Sequence, residues 1–303
     1  MSFKFFHPVP DKNKLDLSLN IEYNLRTMRY FSALFFFLIV LPMTGFSQTY
    51  RATDNRLAPF IRAVYMQQTP DAEIEKQAVT LLKSLETDSA LEPEDRLFAS
   101  ARVYYYLGKN YLFFDSKETI FKHNALQKKG SFVKLKEFYT EADTIRDKYN
   151  RSLEILNGLE ETASFKNDIY CLKAAVLSDL CLVGSIGFVL INGPRLLSYV
   201  NAVLKEAPQH PQTLLQHICS KAYPPGIYGG DPKEAIDYLN RLEPQFDSLS
   251  EGEQFDFLCA KAFASGRLGH YDDGIDAINR ALLIFPTNCY ANAVKELLGS
   301  EEF

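Results

Sequence analysis

The feature that most constrains the fold is a short helical pattern that recurs along the chain. It reads AIDYLNRL at 235–242, and related segments begin at residues 78, 152, 196 and 274. In each copy the apolar positions are three and four residues apart, which places them on one face of a helix. The five copies therefore predict five amphipathic helices with the same structural role.

A second helix accompanies each copy. These partner helices are predicted at 56–67, 93–114, 166–190, 211–222 and 253–266. A helix pair of this size buries its apolar face only when it stacks on the next pair, so the pattern predicts an all-α solenoid of about five helix pairs. A terminal capping helix is expected at 287–299, with Lys295 and Glu296 on its solvent side.

The spacing of particular residues resembles that of the tetratricopeptide repeat family. In the last pair the matching residues are Gly269, Tyr271, Asp272, Ala281, Leu282 and Pro286. Earlier pairs match through Leu180, Val183 and Gly184, and through Tyr104, Leu107, Gly108 and Tyr111. The resemblance covers about residues 55–298 and implies a tetratricopeptide solenoid with a concave face that binds partners.

The composition excludes a general nucleic-acid-binding surface. The chain has 303 residues, of which 47% are hydrophobic, so it can form a substantial core. Its 33 Lys and Arg residues face 38 Asp and Glu residues, which gives a formal net charge of -5. A nucleic-acid-binding protein is expected to have a basic surface instead.

The N-terminal residues predict export. Residues 28–47 have a basic flank at Arg29, an apolar run and a small-x-small ending, which is typical of a signal peptide cleaved after Ser47. An uncleaved anchor is the alternative, and 1–27 is interpreted as an extra leader. No cysteine that could carry a lipid lies near the cleavage point. We expect a domain at 48–303 in a bacterial periplasm, without a stable membrane span.

The repeat is interrupted by an insertion at 115–141. Six lysines outnumber three acidic residues there before Glu141, so this stretch is locally basic. Insertions in repeat arrays often project from one face and take part in binding. An ordinary solvated surface is the alternative interpretation.

No residue pattern predicts catalysis, a cofactor or a metal site. The GSIG stretch at 184–187 is one residue short of a nucleophile elbow, and we expect Gly184 and Gly187 to allow close packing inside a helix. His210 and His217 have no third ligand in range. The five cysteines show no zinc or redox spacing, and most are expected to be buried thiols. The sequence therefore predicts a protein that is not an enzyme.

The candidate partner-binding residues come from the resemblance to tetratricopeptide arrays. It places Arg102, Tyr105, Lys109 and Leu112 on the concave face, together with Ser178, Ser185 and Phe188 from the third pair. Asp179 interrupts an apolar run, so it is either a ligand contact or a solvated charge. The positions do not match a carboxylate clamp. Reversing the charges of Arg102 and Lys109 is expected to abolish partner binding without unfolding the protein.

Two functions remain open from the sequence. The first is an exported, non-catalytic scaffold that binds a protein or peptide in its concave groove. The second follows from a weaker resemblance, mainly over 166–243, to the helical-repeat accessory component of tripartite periplasmic transporters. That resemblance implies a small apolar ligand, a solute-binding protein as partner and an oligomer with a pore. An open groove favours the scaffold, whereas a closed apolar cavity beside Asp179, Gly184 and Phe188 favours the ligand carrier.

Overall fold

Helices make up nearly all of the described structure. A computed structural model describes residues 48–113, 118–122, 139, 141–224, 226 and 229–300. The predicted leader and signal peptide lie outside these residues, as does most of the insertion, of which 118–122 are helical and Tyr139 is buried. Within the described ranges there is no β-strand.

Most helices follow one another with short connections, the exception being the insertion between residues 112 and 142. They are α1 (Gln48–Met66), α2 (Asp71–Thr87), α3 (Pro93–Leu112), α4 (Ala142–Thr162), α5 (Lys166–Val183), α6 (Ile186–Glu206), α7 (Pro211–Ala222), α8 (Pro232–Leu242), a 3-10 helix (Glu243–Ser248), α9 (Glu251–Arg267), α10 (Tyr271–Ile284) and α11 (Cys289–Gly299). The prediction of an all-α chain with a repeat-like arrangement is confirmed.

Odd-numbered and even-numbered helices form two layers. The even-numbered helices α2 to α10 lie outside, and each packs in the seam between its own odd-numbered partner and the next odd-numbered helix. The outer helices pack through buried apolar stripes, such as Ala235, Leu239 and Leu242 in α8, whose other positions are mostly polar. This is the packing that the recurring amphipathic pattern requires.

The five inner helices close into a ring. Contacts run from α1 to α3, α5, α7 and α9 in turn, and α9 then contacts α1. The array therefore curves back on itself within five pairs, and the first helix packs against the fifth pair. We call the boundary where α1 meets α9 and α10 the closing seam.

Aromatic side chains fill the closing seam. The ring of Tyr65 in α1 stacks on Phe285 at 5.0 Å between centroids and meets Phe255 edge-on at 5.4 Å. Gly252 allows this approach, because a Cβ at that position would lie only 3.1 Å from the Tyr65 ring. At the rim, the Arg62 guanidinium lies 2.8 Å from a Glu251 carboxylate oxygen.

The C-terminal end of α1 also meets the N-terminal end of α11. Asn288 donates through Nδ2 to the carbonyl of Tyr65 at 2.9 Å, and the Thr287 hydroxyl donates to the carbonyl of Met66. In return, the Cys289 N–H donates to Oε1 of Gln67 at 2.8 Å. These bonds satisfy helix-end groups that have no partner within their own helix. The two helix dipoles also attract at this junction.

Local sequence explains where the helices begin. Asp231 caps α8 by accepting from the backbone N–H groups of Lys233 and Glu234, and Pro232 occupies the first turn, where a missing N–H costs nothing. Ser250 and Glu253 form a capping box at the start of α9. The GGDP stretch that begins at Gly229 is thus a turn with a helix cap.

The prediction of one helix over 166–190 is wrong, because the structure divides this segment between α5 and α6. Gly184 ends α5, and the hydroxyl of Ser185 accepts from the Phe188 N–H to cap α6. The GSIG stretch therefore spans a helix boundary. Only Gly184 is closely packed: a Cβ there would lie 2.8 Å from the Leu180 carbonyl oxygen, whereas one at Gly187 would meet nothing nearer than 3.7 Å.

These two glycines give a matched test of the boundary. Gly184→Ala is expected to lower the free energy of unfolding by about 1–3 kcal/mol, because the added methyl displaces backbone or Phe188. Gly187→Ala is expected to be neutral or stabilising by about 0.5–1 kcal/mol, because α6 gains helix propensity without a clash. Urea denaturation of both variants measures the difference. Equal stabilities would contradict this placement of Gly184.

Candidate functional site

Polar and aromatic side chains converge at the centre of the ring. The central cluster, as we call it, contains Tyr65 from α1, Tyr105 and Lys109 from α3, Tyr149 from α4, Asp179 from α5 and Asp256 from α9. Charged groups in a protein interior must be paired or hydrogen-bonded, and the residues of this cluster supply one another with partners.

Lys109 lies at the middle of the central cluster. Its ammonium is 3.0 Å from Oδ2 of Asp256 and lies over the rings of Tyr65 at 5.0 Å, Tyr105 at 5.8 Å and Phe113 at 5.9 Å. These are cation–π distances. Burial works against the charged form, but Asp256 and the neighbouring tyrosines outweigh it and raise the pKa of Lys109 well above its usual range. Lys109 is therefore a cation under all physiological conditions.

Asp256 joins both sides of the closing seam. Its Oδ2 accepts from the Tyr65 hydroxyl at 2.8 Å as well as from Lys109. Burial, reinforced by the Asp256 charge, raises the pKa of Tyr65 well above its usual range, so the phenol keeps its proton. The side chains of Lys109 and Asp256 are 14% and 27% exposed, and the pair therefore keeps limited contact with solvent.

Asp179 is a partly buried carboxylate of the central cluster. Its Oδ2 accepts from the Tyr149 hydroxyl at 2.9 Å. Burial raises the pKa of Asp179 from 3.8 to about 6, against the opposing influence of Lys109 and of hydrogen bonds from Tyr149 and Tyr105. Gly108 makes room for Tyr149, because a Cβ there would lie 2.6 Å from the Tyr149 ring.

The raised pKa of Asp179 predicts a pH-dependent stability. Because the folded state holds the proton more tightly than the unfolded chain, this group contributes most below about pH 4, and the contribution is lost as the pH rises through about 6. Asp179→Asn is expected to stabilise the protein by on the order of 2 kcal/mol at about pH 7.5 and to have little effect at about pH 4.5.

Thermal melts of the wild type and of Asp179→Asn across this pH range provide the measurement. The difference between the two proteins isolates the contribution of this one carboxyl group. The groups that face Asp179 are Tyr105 and Lys109 from α3, Tyr149 from α4 and Asp256 from α9. Asp147→Asn on the exposed side of α4 is the control and is expected to give the wild-type profile. A pH-independent effect of Asp179→Asn would show that its pKa is not raised.

A small cavity lies beside the central cluster. Its volume is about 30 Å³, and its polar lining includes Arg102, Gln212, Gln216, Glu253 and Asp256. This volume holds one or two water molecules. Binding sites for organic ligands have volumes of about 300–1,000 Å³. This cavity, as the described residues outline it, therefore has room for water and not for an organic molecule.

The structure places the predicted binding residues differently from an open groove. Tyr105, Lys109 and Asp179 do come together, and Arg102 lines the adjoining cavity with only 1% of its surface exposed. These residues face a closed interior, because the inner helices form a ring. That these residues bind a partner stays a prediction.

The remaining predicted residues do not share one role. Leu112, Ser178 and Phe188 are half-buried, whereas Ser185 is exposed and caps α6. Sequence reasoning did not select Tyr65, Tyr149 or Asp256. Asp256 had a signal, since it occupies the concave-face position of the fifth pair. Tyr65 and Tyr149 had none, because their partners are supplied by ring closure and by the close approach of α4 at Gly108.

A larger cavity opens at the rim of the closing seam. It has a volume of about 240 Å³ and lies between Asn55, Ala58, Ile61 and Arg62 of α1, the segment 248–252 and Phe285. We call it the seam cleft. Its walls combine apolar side chains such as Ile61, Leu249 and Phe285 with polar ones, and the Arg62–Glu251 ion pair lies among its lining residues.

An apolar surface patch lies on α6. Leu190, Ile191 and Leu197 are 71%, 68% and 48% exposed, and Pro194 lies between them. No charged residue occurs from 186 to 194. We call this surface the α6 patch. Another outer helix, α10, exposes Leu283 at 83%, but its neighbours Asn279 and Arg280 are polar.

Three buried side chains are connected as in a catalytic triad but have a structural role. They are Asp168, His210 and Thr213. Oδ1 of Asp168 is 3.0 Å from Nε2 of His210, and Nδ1 of His210 is 2.9 Å from the Thr213 hydroxyl. The same Nδ1 accepts from the Thr213 N–H, so His210 caps α7. Thr213 is completely buried, and a substrate has no access to its hydroxyl.

The described residues contain neither a metal-binding group nor a helix suited to span a membrane. No three His, Cys, Asp or Glu side chains there are grouped closely enough to hold a metal ion. None of the helices in those ranges combines the length and the apolar character needed to cross a membrane.

Comparison of the chain with known proteins returned no relative. It matches no protein-family model, no curated protein and no solved structure.

Proposed function

We propose that this chain is an exported tetratricopeptide-type repeat protein, closed into a ring, that acts as a non-catalytic scaffold. The helix pairs, their layers and the residue spacing at Gly108, Gly269 and Pro286 support the tetratricopeptide interpretation. The partner is a protein with an apolar binding element. A bacterial periplasm, inferred from the N-terminal sequence, is the proposed location.

The partner surface lies on the outside of the ring. In an open array the inner faces would be free for a peptide, but here Tyr65, Lys109 and Asp256 bind one another across the closing seam. A peptide could reach these groups only after the seam had opened. Binding to the outer layer requires no such rearrangement.

The α6 patch is the observation that carries this proposal. Aliphatic side chains that are exposed together are unfavourable in water, and such patches on soluble proteins mark interaction sites. A partner that covers Leu190, Ile191 and Leu197 would gain about 25 cal/mol for each Å² of apolar surface removed from water. The uncharged stretch from 186 to 194 adds no cost of burying charge.

Crosslinking in the native envelope, followed by mass spectrometry of captured proteins, tests the α6 patch. The double variant Leu190→Asp, Ile191→Asp is expected to lose capture of the partner at least tenfold, because two carboxylates would be buried at the interface. Folding should be retained, since both side chains are exposed. Leu283→Asp is the matched control and should capture as the wild type does. Equal capture by the double variant would refute the α6 patch as the partner surface.

A ligand-carrier function is the second candidate, and the seam cleft favours it. The interior cavity of about 30 Å³ is too small for an organic ligand, whereas the cleft of about 240 Å³ approaches the size of known ligand pockets. Ala58→Phe would fill the cleft from its exposed wall. Native mass spectrometry of protein from the envelope should then show a bound small molecule in the wild type and none in the variant. No bound molecule in the wild type would reject this function.

A further inference from the structure

The first helix lies in a groove built by distant parts of the chain. The groove runs between α3 and α9, and α1 fills it with the stripe Leu57, Phe60, Ile61, Val64 and Tyr65, all of them buried. Positions i, i+3, i+4, i+7 and i+8 are those by which an amphipathic helix binds in a groove. The arrangement is thus that of a helical ligand in its receptor, although both belong to one chain.

The polar contacts of α1 fit the same description. Arg62 pairs with Glu251, Tyr65 donates to Asp256, and the C-terminal end of α1 is bound by Asn288. These partners are separated from α1 by between 189 and 223 positions in sequence. Arg56 also pairs with Asp88 at the C-terminal end of α2. Because none of these partners belongs to α1 itself, an identical helix from another chain could make every one of these contacts.

The connection from α1 to the rest of the chain is short and contains an uncommon backbone conformation. Only residues 67–70 join α1 to α2. Gln67 has φ of 53°, a left-handed conformation that non-glycine residues adopt at a cost. Short hinges that hold such a conformation favour exchange of the attached element between chains.

We propose that α1 is exchangeable, so that the groove between α3 and α9 accepts the α1 of a second copy. Reciprocal exchange gives a symmetric dimer in which each ring is closed by the other chain, with 67–70 extended as the hinge. The contacts of α1 itself within each ring are unchanged. The left-handed Gln67 is released, and its bond from the Cys289 N–H is the contact that the hinge gives up. This proposal rests on ring closure and is independent of the α6 patch.

Deletion of Gln68 and Thr69 tests the exchange most sharply. A connection shortened to two residues is at the lower limit for joining antiparallel helices, so it strains the return of the chain from α1 to α2 but leaves every groove contact available to a second copy. Light scattering after size exclusion is expected to show a shift from the monomer mass to twice that mass, with wild-type helicity. A helical monomer, or a protein that fails to fold, would overturn the proposal.

A second measurement keeps the hinge intact, so that a folding defect of the deletion variant does not decide the result. Light and heavy isotope-labelled copies carrying Arg62→Lys are unfolded together, refolded at high concentration and treated with a zero-length carbodiimide. In the dimer fraction, about half of the links from the new lysine to Glu251 should join a light to a heavy chain. Links between Lys109 and Asp256, which both belong to the body of one chain, should remain unmixed. Links to Glu251 that are never mixed would overturn the exchange.

Discussion

Tyr65→Ala is expected to lower the free energy of unfolding by about 3–5 kcal/mol, which is the usual cost of truncating a buried aromatic residue. The Tyr65 ring is 1% exposed and contacts Phe285, Phe255 and Phe113 at centroid distances of 5.0, 5.4 and 5.6 Å. Its removal leaves a cavity where the first helix meets the last pair. The closing seam should therefore lose much of its packing.

Tyr65→Phe separates packing from hydrogen bonding. It keeps the ring but removes the bond to Asp256, so a loss of about 0.5–1.5 kcal/mol is expected. Urea denaturation of the wild type and both variants provides the comparison. Nearly equal small losses for Tyr65→Ala and Tyr65→Phe would mean that the ring is not buried in the seam.

Lys109→Glu is expected to cost about 3–5 kcal/mol, the range found when one partner of a buried ion pair is removed. The new carboxylate would face Asp256, whose oxygen lies 3.0 Å from the present ammonium, and would be close to Asp179. The sequence predicts that the double reversal of Arg102 and Lys109 removes binding without unfolding. Ring closure changes that expectation, because Lys109 supports the fold.

Two controls define the cause of the loss. Lys76→Glu changes the same charge on an exposed part of α2 and should alter stability by less than about 0.5 kcal/mol. Lys109→Met combined with Asp256→Leu replaces the pair by apolar groups and should recover most of the stability lost in Lys109→Glu. Circular-dichroism melts compare the variants. A Lys109→Glu protein as stable as Lys76→Glu would contradict the central cluster.

The sequence was sufficient for the helices because the relevant interactions are local. Apolar residues three and four apart in the segment 235–242 predict a helix face, and Asp231 with Pro232 predicts its start. The break at Gly184 was missed because apolar residues continue on both sides of it. The cap that starts α6 depends on one serine, Ser185, whose signal is weak within such a run.

The ring could not be predicted from the sequence, because it depends on a small rotation added at each helix pair. Nothing near Tyr65 indicates that Phe285 will stack on it, and Asp256 gives no sign that it will join Lys109 to α1. The same limit applied to the prediction of the candidate site. Tyr105, Lys109 and Asp179 were found through their positions in the repeat, but whether they faced solvent or a closed interior depended on curvature.

Ring closure itself is tested most directly by an intrachain link between α1 and α9. Arg62→Lys places an amine opposite Glu251 at the exposed rim of the seam, where the present pair is separated by 2.8 Å. A zero-length carbodiimide applied to dilute monomer, followed by peptide mass spectrometry, should recover the link between these positions within one chain. An open solenoid would keep α1 away from α9, so a monomer that yields carbodiimide links elsewhere but never this one would contradict the closed ring.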